Sequence, residues 1–416
     1  MYPGRLCETV QVIRTFRLLR VLSAAVLLTV LGASSALAAP TPQGSAPEPV
    51  CAWQFMSNAN DLNVAFPDSN ATYWVMPYAL GPGDSISLSG QFPQARYFSL
   101  NTYGTDFDTI DTLRDNQITP DRGSSNPFAE VSPAQAGRSW HAAVVPGPAD
   151  ASRNQISGLP TSGTQRVPVG FLIVRVYVPD DPNSPNGGVA LPTMTMHLGG
   201  ATIPLRPCAS PLSLSGDSAP MKALFDRLVT TGGGSATEAV FTNPTTTGGL
   251  FPNGDNKYLA APVTYRPGRV VVVRGKAPSF PDTTAGTSPA AARDLRYWSM
   301  CQNDRVSPYP VVTCAADHQT ALDADGYYTY VIAAPQDLAA PIDASQTLIG
   351  WGSTAVADKV LIMRNMLPSA GFYPRSVQAS QADHSDPATS MGAYYPRGTY
   401  CQVDVLRSQG WQGCYR

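Results

Sequence analysis

The sequence predicts an all-β protein: two homologous antiparallel β-sandwich domains of the jelly-roll kind, joined by a linker with one short helix. Three observations point there. With 39 Pro and 35 Gly but 14% charged residues, the composition fits short strands cut by many turns. Without an export leader about 378 residues remain, more than one compact sandwich holds. Finally, the chain repeats itself.

Residues 73–93, YWVMPYALGPGDSISLSGQFP, align without a gap to residues 258–278, YLAAPVTYRPGRVVVVRGKAP. They share Tyr73/Tyr258, Pro77/Pro262, Pro82/Pro267, Gly83/Gly268, Gly90/Gly275 and Pro93/Pro278. After a net 15-residue insertion within 279–295 of the second copy, Arg96-Tyr97-Phe98-Ser99 matches Arg296-Tyr297-Trp298-Ser299. Farther on, FLIVRVYVP (171–179) matches VLIMRNMLP (360–368). Three blocks in the same order indicate duplication.

The elements follow in order. Residues 1–38 read as an export signal: Arg5, Arg14, Arg17 and Arg20 precede the apolar run 21–31, and Ala36-Leu37-Ala38 forms a cleavage site. The run is short for a membrane span, so no transmembrane anchor is expected after cleavage; an uncleaved anchor is the rival reading. No Cys follows for lipidation, and no Arg pair marks twin-arginine export. Losing the leader's four Arg and one Glu takes the formal charge from −2 to −5, which argues against a nucleic-acid partner. A Pro-rich linker (39–50) leads to the first sandwich (51–208). Pro82-Gly83 turns into an alternating strand with Ile86 and Leu88 inward and the serines outward. Its counterpart 270–273 is apolar on both faces and so more deeply covered. ARYFSLNTY and FLIVRVYV are further strands, rich in aromatic and β-branched residues. In the linker (209–250), Ser218 caps the helix APMKALFDRLVTT, with Met221, Leu224, Phe225 and Leu228 on one face. GGGSATE and NPTTTGG read as flexible, and the second sandwich spans 251–416.

Six Cys survive cleavage, and an even count in an exported chain reads as disulfides. The spacing suggests Cys301–Cys314 and Cys401–Cys414 as local loops, leaving Cys51–Cys208 to bracket the first copy. A metal site would want a C-x-x-C pair, which is lacking.

Gly83-Asp84-Ser85 spells the opening of one esterase signature, but the repeat replaces Asp84 and Ser85 by Arg269 and Val270. A nucleophile of that class sits on a strand-to-helix turn. Ser85 is read as a strand residue, and Gly216-Asp217-Ser218 as a helix cap.

The stretches FPQARYFSLNTY and DADGYYTYVIAAP…LIGWG…VLIMRNMLP resemble the exported β-sandwich family numbered 1214 among the domains of unknown function. The pattern falls on Arg296-Tyr297-Trp298-Ser299, Asp325-Gly326-Tyr327 and 361–368; the first copy lacks the Asp-Gly turn. DNQITPDRGSSNPF (115–128) is similar to segments in exported actinobacterial proteins of similar length. The resemblance implies a fold and an exported location, without an activity.

Four sets of residues are candidates for function. Arg96 and Arg175, with counterparts Arg296 and Arg364, sit in apolar strands where a charge must be paired. They could grip a carboxylate or phosphate bidentately. Because both copies keep them, pinning by Asp or backbone carbonyls within each sandwich is preferred. Asp106, Asp108 and Asp111, near Asp115 and Asp121, form an oxygen-rich loop that could take calcium, although no EF-hand spacing is present. A solvated loop held by Arg114 and Arg122 is the plainer reading. Tyr394, Tyr395 and Trp411, clamped by a disulfide, could stack on a sugar or lipid headgroup, or equally cover the open end of the second sandwich. A glycosidase needs two placed carboxylates, and none is singled out.

Two functions remain: non-catalytic binding of a cell-envelope glycan, lipid or protein partner, or a secreted hydrolase with a site built from loops of both domains. Shared residues suffice for a shared fold, so function is expected where the copies differ: the aspartate loop, the 279–295 insertion and the aromatic C-terminus.

Overall fold

The structure, a computed structural model, describes residues 51–130, 136–159, 169–211, 238–244, 251–338 and 343–416. The segments expected to be an export signal (1–38), a Pro-rich linker (39–50) and a helix after Ser218 lie outside them. Four sheets build two sandwiches. In the first half, β2 (Ala71–Ala79), β8 (Val169–Pro179), β4 (Ala95–Tyr103) and β5 (Thr109–Arg114) lie side by side, with β1 (Phe55–Ser57) at the edge. Behind them run β10 (Ala201–Leu205), β9 (Thr193–Leu198), β3 (Ser85–Gln91), β6 (Ser139–Val145) and β7 (Gln155–Ser157). The second half repeats both orders. β11 (Asn256–Thr264), β17 (Asp358–Pro368), β13 (Leu295–Asp304) and β14 (Val311–Ala316) copy the first sheet; β18 (Arg397–Gln402), β12 (Arg269–Lys276), β15 (Tyr327–Ala333) and β16 (Thr347–Gly350) copy the second.

The register repeats too. Tyr73 stands opposite Arg175 as Tyr258 stands opposite Arg364. Asn101 pairs with Thr112 where Cys301 pairs with Cys314, so a cross-strand disulfide in one half replaces a 2.9 Å amide–hydroxyl hydrogen bond in the other. The shared glycines have physical causes. Gly83 (φ 85°) and Gly268 (φ 73°) take the left-handed backbone their turns require. Gly90 and Gly275 lie beneath Trp140 and Tyr328 on the neighbouring strand, where a Cβ would come within 2.6 Å of the indole or collide with the phenol.

Each sandwich closes on its own apolar core. The first packs Trp74, Phe98, Leu100 and Val174 against Ile86, Leu88, Trp140 and Val144; the second packs Leu259, Trp298, Met300 and Met363 against Val271, Val273, Tyr330 and Ile332. Ile86 and Leu88 point inward and Ser87 outward, as the alternation requires. Val270 and Val272 are buried on the opposite face, beneath a C-terminal helix that contributes Val403 and Leu406. Among the strand pairings, β6–β7 and β15–β16 are parallel, at equivalent places in the two halves.

Helices that the hydrophobic pattern does not announce follow β17: α1 (Val377–Ala382), α2 (Pro387–Met391) and α3 (Val403–Gly413). Ser376 and Asp386 cap the first two, accepting from the Ala379 and Thr389 amides. Within 209–250, residues 238–244 are docked: Ala239 and Phe241 are buried in the second core. The three disulfides join Cys51–Cys208, Cys301–Cys314 and Cys401–Cys414, the pairing expected from spacing, and fit an oxidising compartment. Among the described residues no helix is long and apolar enough to cross a membrane.

Candidate binding cleft between the two halves

The β2–β8–β4–β5 sheet of the first half meets its counterpart in the second, which explains why β4 and β8 are buried almost throughout. Contacts across this joint come in reciprocal pairs. Arg96, fully buried, donates through Nη1 to both oxygens of Asp317 at 2.9 and 3.0 Å. Its counterpart Arg296 donates to Asp115 Oδ2 at 3.0 Å. Each of those aspartates is held by an amide of its own half, Phe98 N to Asp115 and Trp298 N to Asp317, both at 3.1 Å. Arg175 donates to the Phe251 carbonyl at 2.6 Å, and Arg364 to the Phe66 carbonyl at 2.7 Å. The Tyr97 hydroxyl donates to Asp255 and the Tyr297 hydroxyl to Asp68, each at 2.8 Å.

The segments entering β2 and β11 therefore cross to the opposite half. Phe66 N donates to the Tyr309 carbonyl and Phe251 N to the Phe107 carbonyl. All four aromatics have φ between 54° and 65°, a backbone that bulky residues adopt only where surrounding structure enforces it. The expectation that the four arginines are pinned within each sandwich is thus corrected: the main partners of Arg96, Arg296 and Arg364 come from the other sandwich, and Arg175 bonds both Phe251 across the joint and Tyr103 in its own half. The cause is that each inner sheet uses the other half, not solvent, as its cover. A guanidinium buried there must be satisfied across the joint.

Symmetry breaks at the 279–295 insertion. Its first residues cover Arg96: Phe280 lies against the Arg96 guanidinium (5.1 Å to the ring centre), and Thr283 Oγ1 accepts from Arg96 Nε at 3.3 Å. Beside Arg296, whose Nη1 lies 3.5 Å from the Arg96 carbonyl, the insertion leaves a cleft of about 240 Å³. Its walls are Arg114 and Asn116, the 289–293 stretch of the insertion, Leu295, Arg296, and Leu367 to Ser369. Two of the three asymmetric elements, the aspartate-loop region and the insertion, thus meet where the symmetric scaffold is open. Arg114 is itself an asymmetry, with Ala316 in its place in the second copy, each directly before the single 3-10 turn at Asp115 or Asp317.

Electrostatically the cleft is one-signed. Among the described residues, its charged lining is Arg114, Arg293 and Arg296, without a carboxylate or a histidine. Arg114 pairs with Asp255 (2.7 Å) and Arg296 with Asp115 (3.0 Å), but both carboxylates are buried, with side chains 1% and 0% exposed. Burial pushes the Asp115 carboxyl above its ordinary range, against the pull of Arg296 and two backbone amides. Burial likewise raises Asp255 against Arg114 and Tyr97.

The remaining candidates fall elsewhere. Asp106 accepts from the Asp108 amide, while Asp111 accepts from the Thr112 and Ser157 amides. Burial and the neighbouring Asp106 raise Asp108. These carboxylates do not converge. Among the described residues, the one cluster with metal-donor spacing is Asp68, Cys301 and Cys314, whose sulfurs form a disulfide. Arg114 holds Asp255 rather than the loop. Tyr394 packs edge-on against Phe372, the Tyr395 hydroxyl bonds the Phe241 amide and carbonyl, and Trp411 lies 4.0 Å under Arg274. These aromatics are spent on covering the second sandwich. Ser85 opens β3, and Asp84 accepts from the Gly81 and Gly199 amides, which hold its carboxyl below the usual range.

Sequence reading missed Ser87, whose Oγ lies 3.0 Å from His197 Nε2 on an open sheet face. Their strands are 110 positions apart, and pairing alone brings them together. The other imidazole nitrogen faces Thr202 Oγ1 at 3.5 Å rather than a carboxylate, so the pair lacks the acid that orients a catalytic histidine.

No family model matches the chain, and no curated protein matches it. Two solved structures overlap with most of it at low similarity. One, an uncharacterised protein from Burkholderia cenocepacia, is 11% identical with a TM-score of 0.48, over 83% of this chain and 79% of that one. The other, a protein from Vibrio parahaemolyticus, is 11% identical with a TM-score of 0.40, over 80% of this chain and 89% of that one.

Proposed function

We propose that the protein is an exported, non-catalytic binding protein that takes a cell-envelope glycan, lipid or protein group in the Arg114–Arg293–Arg296 cleft. One observation carries this reading: the lining combines three arginines with apolar and amide groups but has no general acid, general base or activated nucleophile. A hydrolase would need at least one, and among the described residues Ser369 is the only side-chain hydroxyl in the lining. The resemblance to the exported family numbered 1214, the leader at 1–38 and three disulfides support an extracytoplasmic site of action.

The test is to fill the cleft. Ala290→Trp adds an indole at a lining position and leaves the three arginines unsubstituted. Wild-type protein is expected to be retained on an immobilised envelope lipid or glycan extract, and the variant to lose about tenfold in affinity, about 1.4 kcal/mol, with an unchanged melting temperature. Equal retention of both proteins would sink the assignment.

A further inference from the structure

We infer that the cleft selects an anionic group, a phosphate or carboxylate carried on a sugar-sized or headgroup-sized molecule; this rests on the binding reading above. The whole chain has 28 basic and 30 acidic residues, so three arginines without one acid in a single lining is a local arrangement, not a consequence of composition. Two of the three also serve the joint: Arg296 pairs with the buried Asp115 and Arg114 with the buried Asp255. The scaffold needs Arg296, whose counterpart Arg96 makes the equivalent bridge to Asp317. Arg114 has alanine as its counterpart, and Arg293 belongs to the insertion and so has no counterpart. Two positive charges have therefore been added on the cleft side of a symmetric joint.

The two inner guanidinium groups are already oriented. Asp255 engages Nη2 of Arg114 and Asp115 engages Nη1 of Arg296, which fixes each plane while leaving further N–H donors on both. Arg293 is exposed, has no carboxylate partner among the described residues, and donates only to the neighbouring Ala292 carbonyl at 2.8 Å. An anion entering the cleft would meet two fixed forks and one free arm, the donor geometry that suits phosphate or carboxylate oxygens. The volume of about 240 Å³ lies below the roughly 300–1,000 Å³ of sites for drug-sized ligands, which limits the recognised part to one ring or one headgroup.

Calorimetric titration of the mature full-length protein tests this with glucose 6-phosphate, glucuronate and neutral glucose. Co-sedimentation with phosphatidylglycerol or phosphatidylcholine vesicles separates a lipid source from a soluble or glycan-borne anion. Glucose 6-phosphate or glucuronate is expected to bind at least tenfold more tightly than glucose. Arg293→Met is expected to weaken that binding about tenfold while melting like wild type, since Arg293 lies outside the joint. Sedimentation with phosphatidylglycerol but not phosphatidylcholine, lost in Arg293→Met, would place the anion on a lipid. Glucose binding as well as the charged sugars, with Ala290→Trp abolishing both, would overturn the anion inference and leave the cleft standing as a ligand site. Absence of any anion binding to the wild type, in solution or on vesicles, would overturn it outright, and retention on the envelope extract would then judge the binding reading separately.

Discussion

Arg96→Met is expected to destabilise the protein by about 3–5 kcal/mol, the usual cost of removing one partner from a buried ion pair. The substitution leaves Asp317 fully buried, with the Trp298 and His318 amides and the His318 imidazole at 3.5 Å in place of the guanidinium. At about 2 °C per kcal/mol for a chain of this size, the melting temperature should fall by about 6–10 °C. Arg96→Met with Asp317→Asn should be less destabilised than the sum of the single changes, because asparagine can still accept from an amide without a stranded charge. Urea unfolding of the four proteins in this cycle measures the coupling. Strict additivity would mean that the two halves are held together by something other than the reciprocal arginines. By contrast, the exposed His141–Asp121 contact, with the imidazole 67% exposed, should be worth less than about 1 kcal/mol.

Removing the long-range disulfide should have a comparable effect. Cys51 and Cys208 close a loop of 157 residues, for which the chain-entropy model gives about 5 kcal/mol against about 3 for each 13-residue loop. The native ends need little help to meet: Ala52 N donates to the Arg206 carbonyl at 2.8 Å and Cys208 N to the Ala52 carbonyl at 2.9 Å. The stabilisation therefore comes mainly from restricting the unfolded chain. The Cys51→Ser/Cys208→Ser variant should melt lowest of the three disulfide knockouts. If removing either 13-residue loop proved more damaging, local strain release or packing, as around α3, would outweigh loop entropy.

Much of the architecture was legible because duplication constrains it. Shared positions such as Gly90 and Gly275 mark the same close approach in both halves, and the all-apolar run 270–273 announced a strand covered on two faces. The disulfides followed from spacing because two pairs were local. The joint was not legible. The arginines could be recognised as buried cations, but Asp68, Asp115, Asp255 and Asp317 look like any loop aspartate until the strand order places them opposite. The crossing of 66–68 and 251–255 depends on left-handed backbone at Phe66 and Phe251, which residue type does not suggest. Helices α1 and α2, of six and five residues, are too short for a 3.6-residue period to register, although Asp386-Pro387 is a cap signal that could have been read. As for the cleft, sequence asymmetry pointed to the insertion and the 106–121 region, but Arg114 reads in the chain as a tie for the aspartate loop, whereas it pairs with Asp255 beside the cleft.

The most direct test of the central claim is amide hydrogen exchange with and without glucose 6-phosphate. Added protection should concentrate at 114–116, 290–296 and 367–369, and be absent from 280–283, the part of the insertion that covers Arg96 instead of lining the cleft. Equal protection at 280–283, or protection at the C-terminal aromatics 394–415 instead, would contradict a site created by the asymmetry between the two copies.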